Sequence, residues 1–110
     1  MILVDIPLRL GLGLNNRDGW RAAHRRSKAE KQSIAWALIG KPKPATPCVI
    51  RITRVAPSAG PDDDNLAGAC KATRDAVAAW LGIDDKRTDL VRYETAHARG
   101  PWGVRIEVVA

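Results

Sequence analysis

The alternation of apolar and polar residues along the chain predicts four short β-strands, at 2–10, 48–56, 90–96 and 104–109. The second strand is the clearest, because β-branched residues dominate it. Pro7 has no N–H to donate to a neighbouring strand, so we expect the first strand to be short or to lie at a sheet edge. An Arg-Gly-Pro turn at 99–101 joins the last two strands, which predicts a hairpin-like ending.

Helical spacing of apolar residues predicts two helices between these strands. The first runs over 18–39, with Asp18 as its N-cap and Gly40 as its terminator. The second runs over 64–81 and ends at Gly82. The order β-α-β-α-β-β indicates an α+β fold in which two helices pack on a small mixed sheet. At 110 residues, the whole chain is expected to form a single domain.

The composition adds a basic bias to this picture. The chain has 18 Lys and Arg against 12 Asp and Glu, a formal net charge of +6. This excess favours a polyanionic partner, nucleic acid or an anionic membrane surface. Cys48 and Cys70 lack metal-ligand spacing, so we expect reduced thiols. No signal-peptide pattern opens the chain and no apolar run reaches membrane-spanning length, so we expect a soluble cytoplasmic protein with no membrane partner.

The first predicted helix concentrates the positive charge. Its cationic candidates for DNA binding are Arg17, Arg21, Arg25, Arg26 and Lys28. Four of these recur every three or four positions and would form one stripe, with only Asp18 and Glu30 as nearby acids. Because like charges on one helix face repel, contacts with phosphate groups explain the stripe better than a solvated face does.

A short acidic stretch stands out against this basic background. Three consecutive aspartates at 62–64 open the second predicted helix, and Asp84 and Asp85 follow it. Crowded carboxylates raise each other's pKa unless solvent or a cation compensates them. Asp62 and Asp64 lie two apart at a loop-to-helix junction, where their side chains can converge on a compact ion such as Mg²⁺ or Mn²⁺. The alternative is a solvated helix-capping run.

The wider motif resembles the signature of the RusA family of Holliday junction resolvases. That family carries Asp-x-Asp-Asn-Leu, a helical Lys, Asp-Ala and a closing Gly-x-x-Asp-Asp. The corresponding residues here are 62–66, Lys71, Asp75 with Ala76, and 82–85. The Asn-Asn-Arg sequence at 15–17 and the basic helix are similar too, so the likeness covers most of the chain.

The resemblance implies a magnesium-dependent endonuclease, with manganese as a substitute, of phage or prophage origin. It would act as a homodimer on branched DNA and cut four-way junctions by paired incisions. Position by position, Asp62, Asp64 and Asp85 match the catalytic aspartates that bind the metal ion. Lys71 matches the essential lysine. In the family this lysine lies one helical turn after the second aspartate, whereas here the Ala-Gly-Ala sequence at 67–69 lengthens the separation from Asp64 to seven residues.

Two features of this motif leave alternatives open. Lys71 has Asp75 four residues further on, so an ion pair along the helix is the alternative to a catalytic role. A single straight helix over 65–81 would also hold Asp85 about 25 Å from the first acids. Either the loop after Gly82 returns along the helix, or a partner subunit completes the site.

Two other classes of function compete with a resolvase. The chain is alternatively a non-catalytic basic DNA-binding module that recognises branched DNA. A Pro-Asp…Asp-x-Lys nuclease is a poorer match, because a helix separates its two halves here. Trp20 or Trp102 are candidates for stacking on unpaired bases, whereas Trp36 and Trp80 are expected in the core.

Overall fold

A computed structural model describes residues 1–10, 19–58, 60 and 63–109, and within these ranges it describes the side chains of all but 19–23, 63 and 64. The elements in chain order are β1 (Ile2–Ile6), α1 (Gly19–Leu38), β2 (Cys48–Ala56), α2 (Asp63–Ala69), α3 (Lys71–Leu81), β3 (Val91–Arg99) and β4 (Gly103–Val108). These helices and strands confirm the predicted α+β class. No helix among the described residues is long and apolar enough to cross a membrane.

The strands form one mixed sheet with the order β1-β4-β2-β3. β4 is antiparallel to both β1 and β2, whereas β2 and β3 are parallel, from the pair Cys48 and Val91 to the pair Ala56 and Arg99. The predicted hairpin between the last two strands was therefore wrong, since β2 lies between them. β3 exposes many of its side chains and so suits a sheet edge, while the more buried β2 takes the centre.

The core lies between the helices and one face of the sheet. Alternate residues of β2, Ile50 and Ile52, point to the helices and are fully buried. They belong to the same hydrophobic cluster as Ile34 of α1 and Val77 of α3. Because side chains alternate along a strand, the same register determines which polar residues of β2 face inward.

The prediction of one continuous helix over 64–81 was wrong, because this stretch is divided at Cys70 into α2 and α3. Gly68 weakens this part of the helix, and the two halves pack differently: α2 contacts β3, whereas α3 packs on α1. Helical hydrogen bonds still cross the division, since the Cys70 N–H donates to the Leu66 carbonyl at 3.1 Å and the Arg74 N–H donates to the Cys70 carbonyl at 2.9 Å. Cys70 and Cys48 are free thiols, as predicted.

Glycines end both long helices, as the sequence predicts. Gly40 follows α1 with φ of 79° and Gly82 follows α3 with φ of 71°, both in the left-handed region. The Gly82 N–H donates to the Ala78 carbonyl at 2.9 Å and so satisfies one of the last acceptors of α3. A side chain other than glycine would be strained at either position.

Trp36 was wrongly predicted to lie in the core, since 68% of it is exposed. The buried face of α1 contains Ile34 and Leu38. A residue two positions away lies about 200° around a helix, which turns Trp36 to the opposite side. Trp80 is half-buried against the core cluster, as expected.

The other face of the sheet carries paired charges and is not covered by any described helix. Arg105 on β4 forms an ion pair with Asp5 on β1 at 3.3 Å, and Arg51 on β2 forms one with Glu94 on β3 at 3.3 Å. Glu107 lies beside Arg51 in the β2–β4 register. We call this surface the open sheet face; its charges largely compensate each other.

Candidate functional site

The acidic segment follows the carboxyl end of β2. Because β2 and β3 are parallel, their carboxyl ends share one edge of the sheet, the usual location of ligand sites in parallel arrangements. Asp62 lies outside the described residues. Asp64 belongs to the first turn of α2, but its side chain lies outside the described side chains. Gly60, two residues before Asp62, packs against the ring of His97 on β3.

Asp85 lies on a loop that returns along α3. One of its carboxylate oxygens is 3.6 Å from Arg74 Nε, and about a third of the Asp85 side chain is exposed. Arg74 lies eight residues before Gly82, a rise of about 12 Å along an α-helix. Within the chain, the loop therefore runs back towards the N-terminal half of α3.

Buried polar groups lie beside Asp85. The hydroxyl of Tyr93 and Nε of Arg74 are both buried, and neither forms a hydrogen bond with a described residue. Burial, followed by the nearby charge of Asp85, raises the pKa of Tyr93 to about 12. Tyr93 therefore stays protonated at neutral pH and offers an O–H donor next to a carboxylate. A bound water molecule or an anionic oxygen would satisfy that donor.

Asp84 has a different environment from its neighbour. The Lys86 N–H donates to Asp84 Oδ1 at 2.9 Å, and this bond is the main reason why the pKa of Asp84 is lowered. The side chain thus stabilises the turn after α3. Of the two adjacent acids, Asp85 is the one directed at the helix.

Lys71 forms the ion pair that the sequence offered as the alternative to catalysis. Its Nζ lies 3.0 Å from Asp75 Oδ2, and Lys31 of α1 approaches the same oxygen at 3.6 Å. The Lys71 side chain is 65% exposed. Exposed pairs of this kind contribute at most about 1 kcal/mol, so Lys71 can exchange Asp75 for a phosphate oxygen at small cost.

Asp85 and Gly60 lie beside different residues of β3. Asp85 acts on Tyr93, whereas Gly60 contacts His97, and four residues of strand correspond to about 13 Å. Among the described residues, no three His, Cys, Asp or Glu side chains are close enough to hold a metal ion. The predicted set of three aspartates has the oxygen chemistry that Mg²⁺ requires, and Asp85 presents a partly exposed carboxylate for it.

The predicted DNA-binding residues of α1 lie on two sides of the helix. Arg25 and Lys28 are exposed, as a phosphate-binding stripe requires. Arg26 is partly buried, with its Nη2 atom inaccessible, on the same side as buried Glu30. Arg17 lies outside the described residues, and the Arg21 side chain lies outside the described side chains.

Sequence reasoning missed an inward-facing arginine on β2. Arg54 is only 4% exposed; its Nε donates to the Leu10 carbonyl at 3.1 Å, and its Nη1 lies 3.4 Å from His97 Nδ1. The alternation of β2 could have revealed this arginine, because Ile50, Ile52 and Arg54 are alternate residues and lie on the same face of the strand. Period two therefore places the guanidinium on the helix side of the sheet.

The ring of Trp102 makes cation–π contacts with two arginines. The guanidinium carbons of Arg9 and Arg54 lie 4.6 Å and 5.2 Å from its ring centroid, both within cation–π range. A nucleobase that stacks on Trp102 would have to displace or share this contact. The other stacking candidate, Trp20, has its side chain outside the described set.

Comparison with protein-family models, curated proteins and solved structures finds no match to this chain. Its chemistry therefore has to be inferred from its own residues. The carboxyl ends of β2 and β3 carry a buried guanidinium and a histidine, the acidic segment follows β2 in the sequence, and α1 adds exposed cations. Acids that can hold a hard cation beside groups that can bind phosphate are the components that metal-dependent phosphodiester hydrolysis needs.

Proposed function

We propose that this chain is a magnesium-dependent endonuclease of the RusA type, which resolves four-way DNA junctions by paired phosphodiester hydrolysis. Manganese is expected to substitute for magnesium. The observation that carries the proposal is the combined acidic motif together with the return of the Asp85 loop along α3. A straight extension of α3 would have carried Asp85 further from α2, so the return of the loop shortens the distance that a common site has to span.

The proposed roles follow from the chemistry of each side chain. Asp62, Asp64 and Asp85 would hold the ion, which would supply an activated water and stabilise the leaving oxygen. Lys71 would leave its exposed pair with Asp75 to contact the phosphate that is cut. Tyr93, protonated at neutral pH, would donate a hydrogen bond beside Asp85.

We propose that the active species is a two-fold dimer, because symmetric incision of two strands needs two sites related by a two-fold axis. A partner subunit would also provide a second way to bridge the interval of about 13 Å along β3. Sedimentation that shows only monomer, even with junction DNA present, would contradict this arrangement.

DNA binding is assigned to the helix side of the molecule. Arg25 and Lys28, with Arg17 and Arg21 of the same stripe, would contact phosphates of the junction arms, a salt-sensitive interaction that does not depend on base sequence. Preference for branched DNA would then come from the shape of the junction and the spacing of the two sites. The proposed compartment is the cytoplasm, the host's cytoplasm if a phage encodes the chain.

The proposal is tested by incubation with a mobile four-way junction and with a linear duplex of the same sequence, each with and without Mg²⁺. We expect paired cuts in the junction only, and only with the metal ion. Junction binding without cleavage under every metal condition would favour the non-catalytic DNA-binding module instead. Equal cleavage of the linear duplex would contradict a resolvase.

A further inference from the structure

We infer that Arg54 and His97 form a bracket that positions the chain between β2 and α2, and with it Asp64 in the first turn of α2. The inference rests on the proposed function for its catalytic consequence, but the bracket itself is a structural assignment. Arg54 and His97 lie side by side on the parallel strands β2 and β3. They contact each other, and each also contacts a neighbouring stretch of chain, at Leu10 and at Ser58.

The first arm of the bracket holds the chain after β1. Arg54 Nε donates to the Leu10 carbonyl at 3.1 Å in a buried hydrogen bond. Leu10 is itself fully buried and lies five residues before Asn15, the first residue of the Asn-Asn-Arg motif. A planar guanidinium has several N–H groups in fixed directions, so one arginine can serve this carbonyl and the histidine at once.

The second arm holds the chain before the acidic segment. His97 Nε2 lies 3.0 Å from the Ser58 carbonyl, and His97 Nδ1 lies 3.4 Å from Arg54 Nη1. A carbonyl can only accept and a guanidinium can only donate, so these partners select the neutral tautomer with the proton on Nε2. In this tautomer, each ring nitrogen has one suitable partner.

Gly60 closes the second arm by direct packing. A Cβ atom built on Gly60 would lie 2.7 Å from the Cδ2 and Cγ atoms of the His97 ring, which is closer than such atoms approach. The backbone can therefore rest on the ring only because residue 60 is glycine. α2 begins three residues later, at Asp63, so the contact holds the chain just before this helix.

The test is a double-mutant cycle on the Gly60–His97 contact, measured as the kcat of junction cleavage and the Mg²⁺ concentration that gives half-maximal rate. His97→Ala and Gly60→Ala should each lower kcat about tenfold or more, because small displacements of catalytic groups are costly. The double variant should be no worse than His97→Ala, since the added methyl group then has room. Additive losses, or parent-like kcat and metal dependence in His97→Ala, would overturn the bracket.

Two controls separate positioning from general stability. His97→Gln keeps an N–H donor for the Ser58 carbonyl and should recover part of the lost kcat. Glu94→Gln changes an exposed residue of the same strand on the open sheet face and should leave kcat unchanged. In all variants, the affinity for junction DNA should stay within about twofold of the parent, because phosphate contacts dominate it. A loss of affinity equal to the loss of kcat would contradict a positioning role.

Hydrogen exchange provides a readout that does not require activity. In His97→Ala, amide exchange of 57–62 should increase, whereas that of β2 should not. If the parent protein cuts no junction, the proposed function fails, and this measurement alone decides the inference. Unchanged exchange of 57–62 would then overturn the bracket.

Discussion

The two sides of the sheet show how the same kinds of charged residue serve different purposes. On the open sheet face, Arg51 and Arg105 each have a carboxylate partner on a neighbouring strand at 3.3 Å. On the helix side, Arg54 is buried against a backbone carbonyl and an imidazole, and Arg25 on α1 is exposed. Paired charges stabilise the sheet locally and project little field, whereas uncompensated cations attract a polyanion. The contrast indicates that function lies on the helix side.

The largest expected effect on DNA binding compares cations on the two sides. Replacing Arg25 and Lys28 of α1 together with Ala should weaken junction binding about tenfold and reduce the slope of log affinity against log salt by about two. The matched control replaces Arg51 and Arg105 of the open sheet face with Ala. Titration at several salt concentrations measures both pairs, and equal losses would remove the distinction between the two sides.

A smaller effect concerns pH and a buried group on the helix side. The pKa of Tyr93 is raised to about 12 by burial and by Asp85, above the value of about 10 for an exposed tyrosine. The folded state therefore binds the proton more tightly, so this contribution to the free energy of unfolding is present below pH 10 and is lost as the pH rises towards 12.

Urea unfolding at pH 8 and at pH 11 measures this contribution, with Tyr93→Phe as the variant that cannot ionise. The parent should lose more stability over this interval than Tyr93→Phe does. Identical losses would show that the tyrosine is not buried beside a carboxylate in solution.

Much of the fold could be predicted because it depends on local signals. The boundaries of β2 agree with its run of β-branched residues, and α1 ends near the predicted Gly40. The strand order could not be predicted, because the turn at 99–101 shows only that the chain reverses and not which strand it meets. The break at Cys70 depends on the different neighbours of α2 and α3, which no local pattern records.

The candidate site was predictable in its residue types and less so in its arrangement. The acidic motif stands on the two sides of one predicted helix, at 62–64 and 84–85, so Asp64 and Asp85 could be named from the sequence. The contact between Arg54 and His97 joins residues 43 positions apart, and only the parallel register of β2 and β3 brings them together. Arg26 was predicted to bind DNA, yet its position on α1 places it on the side of buried Glu30.

The central claim is that the acidic segment cuts DNA with the help of a metal ion. It is tested most directly by Asp64→Asn, assayed for both cleavage and binding of a four-way junction in Mg²⁺. The matched control is Asp89→Asn, which alters an exposed acid paired with Arg87 at 2.9 Å. We expect Asp64→Asn to lose about a hundredfold or more in cleavage rate and to bind the junction as tightly as the parent or more tightly. Parent-like cleavage by Asp64→Asn would contradict the assignment.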